Sequence, residues 1–297
     1  PDGTTQTTAF VTSSINTATT STVGGIKVGS GLSITGDGTL SAAGGAGASL
    51  NSYCSFYVTS PTISTSGSNN IAIGCCALAS NVSGHSNVAL GWGALKSNTT
   101  GFNNFAFGTG SMCCNTTGYN NFAVGNGSLS MNSGGYSNIA IGCAALYNNT
   151  TGIGNTALGW SNLCQNTVGG HNFTSGYGAA SSNTLGSYNV AIGCLSFKNN
   201  ITGSWNIAIG AEALGCNIGG YENVAIGFHA LTGYGNSGNG GQYNIAVGSC
   251  ALYATSGGMF NVGLGITALS RNTAGCNNFA VGFQALGCNT TGGHNIG

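Results

Sequence analysis

Residues 70–86 read NIAIGCCALASNVSGHS, residues 87–103 read NVALGWGALKSNTTGFN, and Asn104 opens NFAFG, the same phrase begun a third time. The leading Asn70 recurs as Asn87, Asn104, Asn121, Asn138, Asn155, Asn172, Asn189, Asn206 and Asn223, always 17 residues apart. One step of 21 leads to Asn244, and the period resumes at Asn261, Asn278 and Asn295. A fixed period of this length marks a chain built from stacked units, each too small to bury a core alone.

With the leading Asn as position 0, the consensus is N-Φ-A-Φ-G-x-x-(A/S)-L-x-x-N-x-x-G, where Φ is apolar. Apolar residues at positions 1 and 3 (Ile71 and Ile73, Val88 and Leu90, Phe105 and Phe107) predict a short strand with one buried face. Leu78, Leu95 and Met112 at position 8, each after a small residue, predict a second strand, with Gly at position 4 between the two. Stacking identical units supplies the missing hydrogen bonds, so the expected fold is all-β. It is a parallel β-solenoid, or β-roll, of about 13–14 coils with a 17-residue period over residues 70–297. At about 4.8 Å per coil the rod is roughly 60 Å long. Positions 1, 3 and 8 are expected to fill its interior. The intervening Ala72, Ala89, Ala106 and their equivalents are then expected to face away from it. Thr174 and Gly263 are the exceptions, and this near-restriction to Ala fits either close approach of another backbone or tight packing between coils.

Stacking also explains the composition. Only 3% of residues are charged, four acidic and four basic, because a charge at any position would face its own copy about 5 Å away. Neutral Asn takes the place of charge. Position 0 and position 11 (Asn81, Asn98, Asn115, Asn132, Asn149, Asn166, Asn183, Asn200, Asn217) are expected to form amide ladders and to tolerate left-handed turn geometry. Gly84, Gly101 and Gly118 at position 14 complete the second turn. The coil from Asn172 reads as the weakest, with Ser175 and Ala180 where larger apolar groups are expected. The 21-residue coil from Asn223 to Tyr243 carries a four-residue excess, expected as a projecting loop.

Residues 1–50 lack the repeat: a Thr/Ser-rich start, then VGGIKVGSGLSITGDGTLSA at residues 23–42 as a β-hairpin connector, then a Gly/Ala linker. Residues 51–69 read as a capping segment leading into the first coil. The chain opens on Pro1 and stops mid-phrase at Gly297, which reads as a piece of a longer protein. No window approaches about 18 consecutive apolar residues, so no membrane insertion is expected. Balanced charge gives no basis for nucleic-acid binding. Hydrophobic residues make up 41% of the chain and hold fixed phase, unlike a disordered chain.

Candidate chemistry is sparse. The acids are Asp2, Asp37, Glu212 and Glu222; a glycosidase-like pairing of the two glutamates lacks accompanying residues in matching phase. Gly-x-Gly patterns carry no weight in a chain with 55 glycines. His85, His171 and His294 share one turn edge many coils apart, with His229 elsewhere, so a metal would need one His from each of three chains. Cysteines at positions 5–6 and 9–10 are expected to be small buried side chains or free thiols, unless paired between chains. No enzyme activity, catalytic residue, metal or cofactor is therefore expected. N-glycosylation sequons fall at Asn81, Asn98, Asn115, Asn149, Asn200 and Asn289, and also at Asn126, Asn148 and Asn172; coils this close cannot all carry glycans. Aromatics form two stripes, Phe102, Tyr119, Tyr136, Tyr188, Trp205, Tyr221, Tyr243 and Phe260 at positions 15–16, and Trp92, Trp160, Tyr177, Phe228 and Phe283 at position 5. Such stripes stack on sugars or anchor protein contacts, or pack between coils or subunits. The candidate binding residues are Trp92, Phe102, Tyr119, Tyr136, Trp160, Tyr188, Trp205, Tyr221, Tyr234 and Tyr243.

The NIAIGxxAL and NVALGxxAL phrases over residues 70–297 resemble the head repeats of trimeric autotransporter adhesins, with a period of 17 in place of about 14. That resemblance implies a left-handed roll and a homotrimer. VGGIKVGSGLSITGDGTLSA, together with arrays of NTTG-containing phrases, resembles tail fibres of phages and large viruses, and this match covers both parts of the chain. It implies a fibre on the virion surface, extracellular, attaching to a host receptor or glycan and joined to other virion proteins through the N-terminal segment. The alternatives are a bacterial autotransporter passenger at the cell surface, an inert spacer with its binding tip elsewhere, and an ice-binding solenoid. The last would need regular Thr pairs on a flat face, whereas Thr99-Thr100 and Thr116-Thr117 lie in a turn.

Overall fold

The structure, a computed structural model, describes residues 67–233 and 241–297 together with the backbone of four short strands before them. Strands β1 (Leu32–Ile34) and β2 (Leu40–Ala42) pair antiparallel within the expected connector hairpin. β3 (Gly47–Leu50), in the Gly/Ala-rich stretch, pairs antiparallel with β4 (Phe56–Thr59), and β4 lies parallel to β5 (Ile71–Ile73) at the head of the repeat. The Gly-Ser-Gly and Gly-Asp-Gly turns and residues 1–31 lie outside the described residues.

From β5 to β17 (Phe279–Val281) there are thirteen strands of three residues, one per coil, each parallel to the next. The register follows the period: Ile71 pairs with Val88, Ala72 with Ala89 and Ile73 with Leu90. The 21-residue coil rejoins it, with β14 (Val224–Ile226) placing Val224 beside Ile245 of β15 (Ile245–Val247). The chain is a parallel β-solenoid repeat protein.

Several expectations are corrected. Position 8 is not a second strand. Leu95, Met112 and Leu129 sit in turns at φ 50°, 48° and 50°, and the equivalent residue of every coil is left-handed. Such a backbone costs an L-residue roughly 1–2 kcal/mol. Complete burial of the Leu side chain, worth about 1.5–3 kcal/mol, offsets it, as does the hydrogen bond from the Leu95 amide to the Ser111 carbonyl of the next coil, 3.0 Å. Left-handed residues occupy positions 6, 8 and 16, so the ladder asparagines at positions 0 and 11 do not supply that geometry.

The strand also faces the other way. Ala72, Ala89, Ala106, Ala123 and Ala140 are wholly buried, while Ile71, Ile73, Ile139 and Ile141 are 40–41% exposed. The reason is volume. A coil whose interior already holds the position 8 side chain and two Asn side chains has room on the strand side for a small group only, Ala in most coils and Thr174 where position 8 of its own coil is Ala180. Both readings of the Ala column took it to face outward; its burial inside the roll removes it as an argument for close approach of another chain.

Both Asn ladders form, buried. Asn87 Nδ2 donates to Asn70 Oδ1 (3.2 Å) and to Gly101 O (2.8 Å), while the Asn87 amide donates to Asn70 Oδ1 (2.9 Å). This ladder passes the insertion unbroken, Asn244 Nδ2 reaching Asn223 Oδ1 at 3.2 Å. The second ladder runs from Asn81 to Asn200 and is broken before the insertion, where Asn200 and Asn217 turn their Oδ1 to Gly203 and Gly220 amides at 2.9 and 2.7 Å. Glycine is required on both edges. At Gly125 φ is 134° and a Cβ would lie 2.4 Å from Gly142 O. At Gly118, where φ is ordinary, it would lie 2.4 Å from both Gly135 O and Asn115 Oδ1.

The coil from Asn172 is not weak in the expected way. Ser175 faces outward, so it leaves no hole. Ala180 is buried, and Phe197, the largest fully buried side chain, occupies the same position one coil on. Thr174, the polar exception in the Ala column, donates its hydroxyl to Asn162 Oδ1, and Asn162 is itself an exception at position 7. Asn162 Nδ2 is held by Gly176 O at 2.7 Å. Thr174→Ala alone should cost about 1–3 kcal/mol by orphaning the buried Asn162 oxygen, and Thr174→Ala with Asn162→Ala should cost less than the two single changes summed. Urea midpoints of the three variants measure this; additive losses would mean that the pair is not coupled.

Candidate interaction faces

The outward sides of positions 1 and 3 make one continuous apolar column pair. Of 26 such residues from β5 to β17, all but Thr156 and Ser175 are apolar. Val88 and Leu90 are half-buried by their neighbours, whereas Phe107 and Val281 are each 52% exposed. A strand face meant for water is normally polar, and Phe105 and Phe122 within it stack at 4.9 Å.

The aromatic stripe of positions 15–16 is two stripes. At position 15, His85, Phe102, Tyr119 and Tyr136 stack in sequence with centroids 5.1, 4.8 and 4.7 Å apart. At position 16, where φ is positive, His171, Tyr188 and Trp205 stack at 5.0 and 4.1 Å. Tyr243 stacks on Phe260 at 4.8 Å and meets Tyr221 edge-on at 5.4 Å. The hydrogen bond with Tyr221 pushes the Tyr243 phenol above its usual range. These separations match the coil spacing, so the inner rings spend their faces on one another and offer edges outward. At position 5, Trp92 is 59% exposed and Trp160 stacks on Tyr177 at 4.9 Å. Tyr234 lies outside the described residues.

Among the described residues the acidic groups do not converge. Glu212 pairs with Lys198 at 3.0 Å, Glu222 stands exposed ten residues on in the same coil, and no three His, Cys, Asp or Glu come together among the described residues. His229 lies edge-on to Phe228 and Tyr253. The eleven described cysteines are all free, and none is buried. Burial pushes the Cys164 and Cys114 thiols up, and the hydrogen bond with Cys76 does the same for Cys75. Asn126 and Asn148 are the exposed sequon asparagines, whereas Asn81, Asn98, Asn115, Asn149, Asn172 and Asn200 are committed to the buried ladders. The Thr99 and Thr116 hydroxyls are likewise spent, on Thr116 O and Ser133 O at 3.0 and 2.8 Å, which takes one member of each Thr pair from an ice-like array.

No protein-family model matches the sequence, and no curated protein matches it. Among the described residues no helix is long and apolar enough to cross a membrane.

Proposed function

We propose that this chain is a segment of a rigid fibre in which three copies associate through the outward faces of the strands, and that the fibre serves attachment of a virion to its host surface. The observation that carries this reading is the apolar column pair, broken only at Thr156 and Ser175, outside a solenoid whose own interior is already full. Removing that surface from water is the obvious drive for association. The number three and the virion setting rest on the resemblance of the repeat to autotransporter heads and of the connector to viral fibres. Attachment is multivalent in this reading: repeated weak contacts along a stiff rod, made by the exposed rings at position 5 and by aromatic edges at positions 15 and 16. Such a rod turns over no substrate. Light scattering after size exclusion tests the assembly, with about three times the 29.2 kDa chain mass expected; a single chain mass overturns it.

A further inference from the structure

We propose that Cys113, Cys114 and Met131 form a surface site for a soft monovalent metal ion of the Cu(I) class, held by two thiolates and one thioether from adjacent coils. Cys113 Sγ lies 3.5 Å from Cys114 Sγ, and Cys114 Sγ lies 3.9 Å from Met131 Sδ. Sulfurs bound to one ion at about 2.3 Å stand about 3.8 Å apart in tetrahedral and about 4.0 Å apart in trigonal geometry, by simple trigonometry on the metal–sulfur length. The Cys114–Met131 separation already matches those values, and the Cys113–Cys114 separation falls about 0.3–0.5 Å short of them, a gap that small side-chain rotations close.

The ligands are set by the stacking itself. Met131 is one period after Cys114 and therefore lies beside it in the next coil. The Cys114 amide donates to Ser130 O at 2.9 Å and the Met131 amide to Tyr147 O at 2.9 Å, which ties both coils to their neighbours. Cys113 Sγ also touches Ser130 Oγ at 3.2 Å and Ser130 O at 3.6 Å, contacts that orient the first ligand. A thioether discriminates against zinc and favours Cu(I). Binding releases two protons to solvent and leaves one net negative charge on the site. Cys75 and Cys76 make a second close pair at 3.4 Å, but Trp92 and Gly93 occupy the matching positions one coil on, so no third sulfur is supplied there.

The test is titration of the reduced full chain with Cu(I), under anaerobic conditions, against the chromogenic chelator bicinchoninate. The tightest equivalent is expected to disappear in Cys113→Ser with Cys114→Ser, to weaken tenfold or more in Met131→Leu, and to persist in Cys75→Ser with Cys76→Ser. Its persistence without Cys113 and Cys114, or an unchanged affinity in Met131→Leu, overturns the site. X-ray absorption at the copper edge of the wild-type protein is independent of variant folding: three sulfur neighbours support the proposal, and two sulfurs or a nitrogen–oxygen shell overturn it.

Discussion

Asn138→Asp is expected to destabilise the solenoid by about 3–6 kcal/mol at neutral pH, as two lost buried bonds and the facing oxygens imply, and by much less in acid. The Asn138 amide group donates from Nδ2 to Asn121 Oδ1 (3.1 Å) and Gly152 O (2.8 Å), and its Oδ1 accepts from the Asn155 amide (3.0 Å) and Asn155 Nδ2 (3.2 Å). An aspartate keeps the acceptor and replaces the donor by an anionic oxygen aimed at two other oxygens. Burial and that repulsion raise the folded-state pKa of the new carboxyl above its unfolded value of about 3.9. The sign follows directly. Below the unfolded pKa both states are protonated, the O–H can donate to Gly152 O, and most of the penalty is absent. As pH rises from there through the folded pKa the penalty grows, and above that it is complete. Urea midpoints of wild type and variant across pH 3–8 measure the effect, and a difference that does not change with pH would refute the ladder account. Asn148→Asp, an exposed position ten residues along, should stay within about 0.5 kcal/mol.

The second large effect separates three consecutive residues. Ile139→Asp with Ile141→Asp is expected to reduce the native mass from about three chains to one while leaving the coil folded, because both side chains point out of the roll and are 40% exposed. Two carboxylates per chain brought into an apolar interface would carry desolvation and like-charge repulsion of several kcal/mol. Ala140→Leu, between them, should do the reverse. Its side chain enters a filled interior beside Ala123 and Ala157, so it should cost about 1–3 kcal/mol or more in stability. Light scattering reads the first effect and thermal denaturation the second. If the Asp pair unfolds the chain, or leaves the mass unchanged in a folded one, the outward face is not the contact surface.

The one-coil-per-seventeen arithmetic, the parallel stacking and both Asn ladders were legible in the sequence, because in-register stacking repeats every side chain and so writes itself as a period. Exclusion of charge was legible for the same reason. Other features depend on contacts between different positions. Thr174 and Asn162 each break the consensus, and their compensation shows only when adjacent coils bring position 2 against position 7. Phe102 and Trp205 look like members of one stripe, but position 16 is left-handed and position 15 is not, so two separate stacks result. Met131 gave no signal until the period was read as a distance to Cys114.

Read alone, the sequence shows which residues of the strand share a face. Alternation over Ile139, Ala140 and Ile141 is symmetric about the sheet and does not say which side is the interior. Hydrophobicity argues for the isoleucines inside. The fold places them outside, because left-handed Leu129 and Leu146 and two columns of Asn occupy the space within each coil, and beside them only a small side chain such as Ala140 fits.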